Sequence, residues 1–210
     1  MEMLRLCRQQ GIRRVIATPH FYAWQDTPEV FLKKRNDAEL LLRQQMLSQG
    51  GVAPMSVGAE VAYFRGISES EAMAGLTLRG TEYLLIEMPK APWTEGMYEE
   101  LSALRSRGLV PIIAHVDRYI RPFKTHGIPA LLQELPVLVQ ANASFFLNPD
   151  TAAMALKMLS AGQIHLLGSD CHNLTDRRPN LGEAVDLIQR KLGRTALASI
   201  REHQREVLGI

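Results

Sequence analysis

Short apolar runs alternate with helical stretches along almost the whole chain, and this alternation restricts the fold more than any other feature. The runs begin at Val15, Met55, Tyr83, Val110, Val137 and Ile164. Tyr83–Ile86 and Pro111–Ala114 are continuously apolar, as strands covered on both faces are. Helical patterns fill the intervals. They cover residues 2–10, closed by Gly11; residues 28–48, opened by Pro28 and broken at Gly50 and Gly51; and Glu95 to Arg107, capped by Gly108. A short helix is expected from Pro129 to Leu135 and a longer one from Asp150 to Ser160 with Asp150 as its N-cap, followed by Pro179 to Leu192 and Thr195 to Val207. Strands alternating with helices imply βα units and a mainly parallel sheet. With no long linker, low-complexity tract or internal repeat, residues 1–210 read as one α/β domain.

Each apolar run stops at a polar residue. The stops are His20, Glu60, Glu87, His115 (with Arg118 just beyond), Asn142, and Asp170 (with His172 two residues later). In a parallel barrel the carboxyl ends of the strands meet at one face, whereas an open doubly wound sheet concentrates its site at one switch point. Ligand-type residues at nearly every strand end therefore favour a barrel, and a metallohydrolase as its function.

Composition excludes some alternatives. At 210 residues the chain is long enough for a substantial core, and 46% hydrophobic with 22% charged residues is ordinary for a soluble globular protein. A net charge of +2 gives no argument for nucleic acid or an anionic membrane. No apolar run approaches the roughly 18 residues that span a bilayer, and the amphipathic, charged start does not read as a signal peptide. Two cysteines, Cys7 and Cys171, make no disulfide framework; they read as reduced thiols in a cytoplasmic protein.

Taken singly, each polar residue has a plainer reading. Glu87 closes an apolar run, where an ionised carboxylate needs a cation or several donors, although an Arg partner or solvent exposure would also serve. In Asp170-Cys171-His172, residues two apart face one side of an extended chain, so Asp170 and His172 point together while Cys171 points away; the alternative is a turn in which Asp caps an amide. A carboxylate with an imidazole suits Mn, Fe or Zn. His115 alone reads as a core histidine, but Arg118 nearby suits bidentate contact with phosphate. Pro19 can rigidify the loop that aims His20. Glu60 could be a surface residue, Asn142 a polar strand end, and the Arg177–Arg178 pair a solvated helix start. His126, His165 and His203 are left as structural or surface residues.

Six segments together resemble the polymerase-and-histidinol-phosphatase (PHP) superfamily, and within it the bacterial metal-dependent protein-tyrosine phosphatases typified by the CpsB and YwqE proteins of capsule and exopolysaccharide regulation. They are Ile16–His20, Gly58–Glu60, Tyr83–Glu87, Pro111–Arg118, Leu138–Ser144 and Gly168–Leu174. The resemblance implies a distorted seven-stranded (β/α) barrel of TIM type with divalent ions, Mn foremost and Fe or Zn as alternatives, at its carboxyl face. It implies metal ligation by His20, Glu60, Glu87, His115, Asp170 and His172, and phosphate binding by Arg118 and, with a one-residue ambiguity, Arg177. Arg178 stands where Pro is common. The implied substrate is a phosphotyrosine-containing protein, a bacterial tyrosine kinase.

The family pattern opens with a first strand bearing His-x-His and a nearby Asp. No such segment stands before residue 2 here, so the expectation is a truncated sequence or a shortened member, without that strand and three ligands. Strands flanking the gap would expose edges, and a dimer or higher oligomer follows as an expectation. In the implied mechanism Glu87 and Asp170 bridge two ions that acidify a water for in-line attack on phosphorus, and the arginines neutralise the phosphoryl oxygens. Cys171 is not a nucleophile in this scheme. The alternatives are a catalytically impaired barrel kept as a binding or regulatory module, and a phosphatase of a small ester such as histidinol phosphate.

Overall fold

The computed structural model describes residues 1–120 and 132–209. Part of the short helix expected from Pro129, and His126, lie outside the described residues.

All six expected strands form, and every ladder is parallel. The first two are each interrupted. Val15–Ala17 (β1) breaks at Thr18-Pro19 and resumes as His20–Phe21 (β2); Met55–Val57 (β3) breaks at Gly58-Ala59 and resumes as Glu60–Ala62 (β4). Tyr83–Glu87 (β5), Val110–Ile113 (β6), Leu138–Asn142 (β7) and Leu166–Gly168 (β8) follow. The order is β2-β4-β5-β6-β7-β8, with β1 beside β3, so neighbours in space are neighbours in sequence. The result is a curled parallel half-barrel. Among the described residues no ladder joins β2 to β8. Gln10 spans that side instead, donating to the Pro179 carbonyl at 2.7 Å and accepting from the Gly182 amide at 3.0 Å.

The two-residue period of the strands divides the core. Ile16, Leu85, Ile112, Leu138 and Leu166 belong to one cluster with Val207 of the C-terminal helix Ala198–Leu208; Leu84, Ile86, Ile113, Val139 and Leu167 belong to the larger cluster under the flanking helices. Glu87, Gln140, Asn142 and Asp170 continue the phase of Leu85, Leu138 and Leu166, and so rise from one side of the sheet.

Local chemistry explains some helix ends. Thr27 accepts the Val30 amide at 3.4 Å and Pro28 occupies the first turn of helix Pro28–Gln49, while Gly108, at φ +81°, closes Glu95–Ser106. The last two helical patterns run as Leu181–Leu192 and, after a 3₁₀ turn at Arg194–Leu197, Ala198–Leu208. One expectation is corrected. Helix Ala152–Ser160 has Thr151, not Asp150, as its N-cap, and the Thr151 hydroxyl donates to the Phe145 carbonyl at 2.7 Å rather than capping. Helix Ala143–Leu147, directly after β7, was not foreseen; five residues are too few to show a helical period, and its N-cap Asn142 is also the last residue of the strand.

Candidate metal centre

The cluster is built on the interrupted strands. His20 and Glu60 are register partners across β2 and β4, placed there because both strands break two residues earlier. They open the second segments rather than closing the first. Glu87 is the last residue of β5, on the neighbouring ladder. Ligand-type atoms of His20, Glu60 and Glu87 lie within 4.8 Å of one another.

His115 joins them out of phase with its strand. Ile112 faces the interior, so a straight extended chain would bring Ala114, not His115, to that side. At His115 the chain leaves the extended repeat with φ +33°, an uncommon value for a residue with a β-carbon. Its amide donates to Gln140 Oε1 at 2.6 Å, and its ring Nδ1 lies 3.3 Å from the Tyr119 hydroxyl, which itself accepts the Met88 amide at 2.9 Å. His115 Nε2 then sits 3.0 Å from Glu60 Oε1 and 3.6 Å from Glu87 Oε1.

Asp170 is the second non-glycine residue with positive φ, at +48°. Arg118 lies between the two halves of the cluster: it donates to Glu87 Oε1 at 3.2 Å and to Asp170 Oδ2. Arg177 reaches Asp170 Oδ2 at 2.7 Å. Arg178 instead pairs with Glu183 at 2.8 Å on the exposed start of helix Leu181–Leu192, so only the first of the two arginines turns towards the cluster. His172 is partly exposed, its Nδ1 3.6 Å from Asp170 Oδ1 and its ring centroid 5.5 Å from that of His20. Cys171, expected as a buried thiol, is half-buried; it lies close enough to the buried Cys7 to act on its titration, and burial first and Cys171 second push the Cys7 thiol up.

Electrostatics follow the geometry. Burial alone would raise the Glu60 carboxyl, but contacts from His115 and His20 overcome it and lower its pKa to about 2. His20 is raised in turn, mainly by Glu60. The donors fit a divalent cation. Glu60 is only 6% exposed with one oxygen flanked by two imidazoles, and hard oxygen with borderline nitrogen suits Mn, Fe or Zn.

Several neighbours complete the cluster, and of these Gln140, Asp117 and Tyr22 were not picked out from the sequence. Gln140 holds the His115 amide; Asn142, read as a polar strand end, is buried and donates to Asp170 Oδ2 at 3.4 Å. Asp117 accepts the Asn142 amide at 3.0 Å and is raised by its burial. Tyr22 stacks on the His20 ring with centroids 5.6 Å apart and 11° between planes. The available signal was spacing: Gln140, Asn142 and Tyr22 each lie two residues from a residue of the same face.

Comparison with known proteins agrees with this architecture. A family model described as capsular polysaccharide synthesis, CpsB/CapC, matches residues 1–208. Tyrosine-protein phosphatase YwqE of Bacillus subtilis (strain 168) is 25% identical over 202 residues, 92% of this chain and 77% of the relative. Tyrosine-protein phosphatase CpsB of Streptococcus pneumoniae is 26% identical over 195 residues, 88% of this chain and 79% of the relative. A solved structure from work on YwqE and CpsB, described as metal-dependent tyrosine phosphatases, superposes with a TM-score of 0.83 at 24% identity, covering 99% of this chain and 85% of the other. With a half-barrel of their fold and a family match that runs almost end to end, the chain belongs to the CpsB/CapC family of capsular polysaccharide synthesis.

Proposed function

We propose that this protein is a metal-dependent phosphomonoester hydrolase of the PHP type that removes phosphate from phosphotyrosine in a protein, a bacterial tyrosine kinase of capsule or exopolysaccharide synthesis. The observation that carries the reading is the grouping of His20, Glu60 and Glu87, with His115 against both carboxylates and Arg118 and Arg177 beside them on Asp170. His20, Glu60, Glu87, His115, Asp170 and His172 hold divalent cations, Mn foremost. Bound there, such cations supply Lewis acidity towards phosphoryl oxygens and an acidified water. The chain's own residues do the rest. Arg118 and Arg177 take the phosphoryl oxygens through their guanidinium forks and stabilise charge as it develops on them. Tyr119 and Gln140 hold the His115 ring and backbone, so the imidazole is aimed before substrate arrives.

The two thiols, free and unpaired with each other, support a cytoplasmic location. Among the described residues β2 and β8 end the six-stranded sheet without a further ladder, and such open edges support a homo-oligomer; a monomeric mass at micromolar concentration counts against it.

The test is elemental mass spectrometry after Mn reconstitution and desalting, with kcat/KM for a phosphotyrosyl peptide and for histidinol phosphate measured on the same sample. Two ions per chain and preference for the peptide are expected. Less than about half an ion per chain, or preference for histidinol phosphate, overturns the reading.

A further inference from the structure

Beyond Tyr22 the aromatic row continues outward. The Tyr22 ring lies 5.0 Å from that of Trp24, and Trp24 is 65% exposed. A single exposed apolar residue needs no explanation, but this one ends a row of rings that begins at His20. It also borders a depression of about 380 Å³ whose walls include Phe21, Pro28, Phe64 and Met73. The acidic residue in that wall, Asp26, is neutralised by Lys34 at 2.8 and 2.9 Å, so the depression carries no net charge; Gln25, Thr27 and Ser70 share its rim with the apolar residues.

On the reading that the cluster hydrolyses phosphotyrosine, we propose that Trp24 and this depression dock the apolar side chain next to the phosphotyrosine in the substrate polypeptide. A phosphotyrosyl side chain carries one ring, and the row carries two beyond the metal-ligand candidate. The rings step from His20 to Tyr22 at 5.6 Å and on to Trp24 at 5.0 Å, so with the phosphate at the cluster Tyr22 serves the substrate ring and Trp24 the residues flanking it. An indole edge beside an uncharged hollow walled by Phe21, Pro28, Phe64 and Met73 suits an aliphatic or aromatic neighbour and offers no cation to an acidic one. Trp24 touches no reacting atom; it is a specificity residue.

The test uses the full chain loaded with Mn and three substrates: a phosphotyrosyl peptide flanked by Leu, the same peptide flanked by Asp, and phenyl phosphate, which stops at Tyr22. Trp24→Ala should raise KM for the Leu-flanked peptide roughly three- to tenfold at unchanged kcat, the range that one aromatic contact supplies. It should leave kcat/KM for phenyl phosphate within about twofold and erase the preference for Leu over Asp, and Trp24→Phe should recover most of the loss. The Leu-flanked peptide should also change the tryptophan emission of the wild type, a change that Trp24→Phe removes. An unaltered KM for the peptide, or an equal fall for phenyl phosphate, overturns the docking role while the phosphatase reading stands. A wild type inactive towards every phosphotyrosyl peptide overturns both.

Discussion

His115 Nε2 lies 3.0 Å from Glu60 Oε1 with both side chains almost fully buried, although 55 residues separate them in the chain. This contact, with that of His20, holds Glu60 ionised inside the protein and makes the metal-free cluster sensitive to pH in a defined sense. The Glu60 pKa falls from 4.5 to about 2 on folding, so its contribution is complete above pH 4.5 and is lost as pH falls through about 2. Linkage sets that contribution at roughly 3 kcal/mol. The His20 pKa is raised from 6.5, so its contribution is complete below pH 6.5 and is lost as pH rises through the raised value. The chelated protein should therefore be most stable between these limits. Thermal melts of wild type and Glu60→Gln across pH 2–9 check this: the two curves should converge towards pH 2, and a constant difference throughout would refute the assignment.

Gly168 acts on His115 without touching it. A Cβ at Gly168 would stand 2.5 Å from Gln140 Nε2 and 3.2 Å from its Cδ, and Gln140 is the residue that accepts the His115 amide. Gly168→Ala should push Gln140 aside and release the backbone held at φ +33°. The expected cost is about 1–2 kcal/mol in stability and roughly tenfold in kcat, because misplacement of a site residue is felt in rate. Gln140→Ala should reproduce the kinetic defect and make it insensitive to the further change at Gly168. Additive losses in the double variant would separate the two effects and sink the coupling.

The order of the strands and the identity of the polar residues on them were legible in the sequence, because apolar runs, glycine stops and a period of two are local signals. The interruptions in the first two strands were not. Val15 to His20 and Met55 to Glu60 read as single runs ending at those polar residues, whereas each breaks at Thr18-Pro19 or Gly58-Ala59 and resumes pairing at His20 or Glu60, and only the ladder across β2 and β4 reveals it. Gly58 shows why the break is tolerated there: a Cβ would meet Leu78 Cδ2 at 2.6 Å and its Cα at 3.2 Å. Supporting residues such as Tyr119 and Gln140 stayed hidden for a related reason. Their roles depend on which strand lies alongside, and that information is not local. The Asp150 cap failed because two neighbouring residues could each serve, and the Thr151 hydroxyl found the Phe145 carbonyl.

Arg118 should separate phosphate chemistry from metal binding. Its guanidinium is held by Glu87 and Asp170 on two sides, an arrangement that needs a planar fork rather than a point charge. Arg118→Lys keeps the charge but loses the second contact. On a phosphotyrosyl peptide kcat/KM is expected to fall about 10²- to 10³-fold, the range for removal of one preorganised donor, while Mn content stays within a quarter of wild type. Loss of Mn together with activity would make Arg118 a structural partner of the carboxylates instead.

Cys171 offers the sharpest check on the class of mechanism, because it lies between Asp170 and His172 and invites assignment as a nucleophile. Its surroundings argue otherwise. The neighbour whose titration it affects is the buried Cys7, on helix Glu2–Gln9. Cys171→Ser keeps a small polar side chain in place and should leave kcat/KM within roughly threefold, a size consistent with a change beside the site rather than in it. Full activity after iodoacetamide treatment of the wild type is expected for the same reason. Activity abolished by the serine substitution, with Mn content unchanged, would mean that the thiol enters the reaction and that metal-assisted hydrolysis is the wrong class.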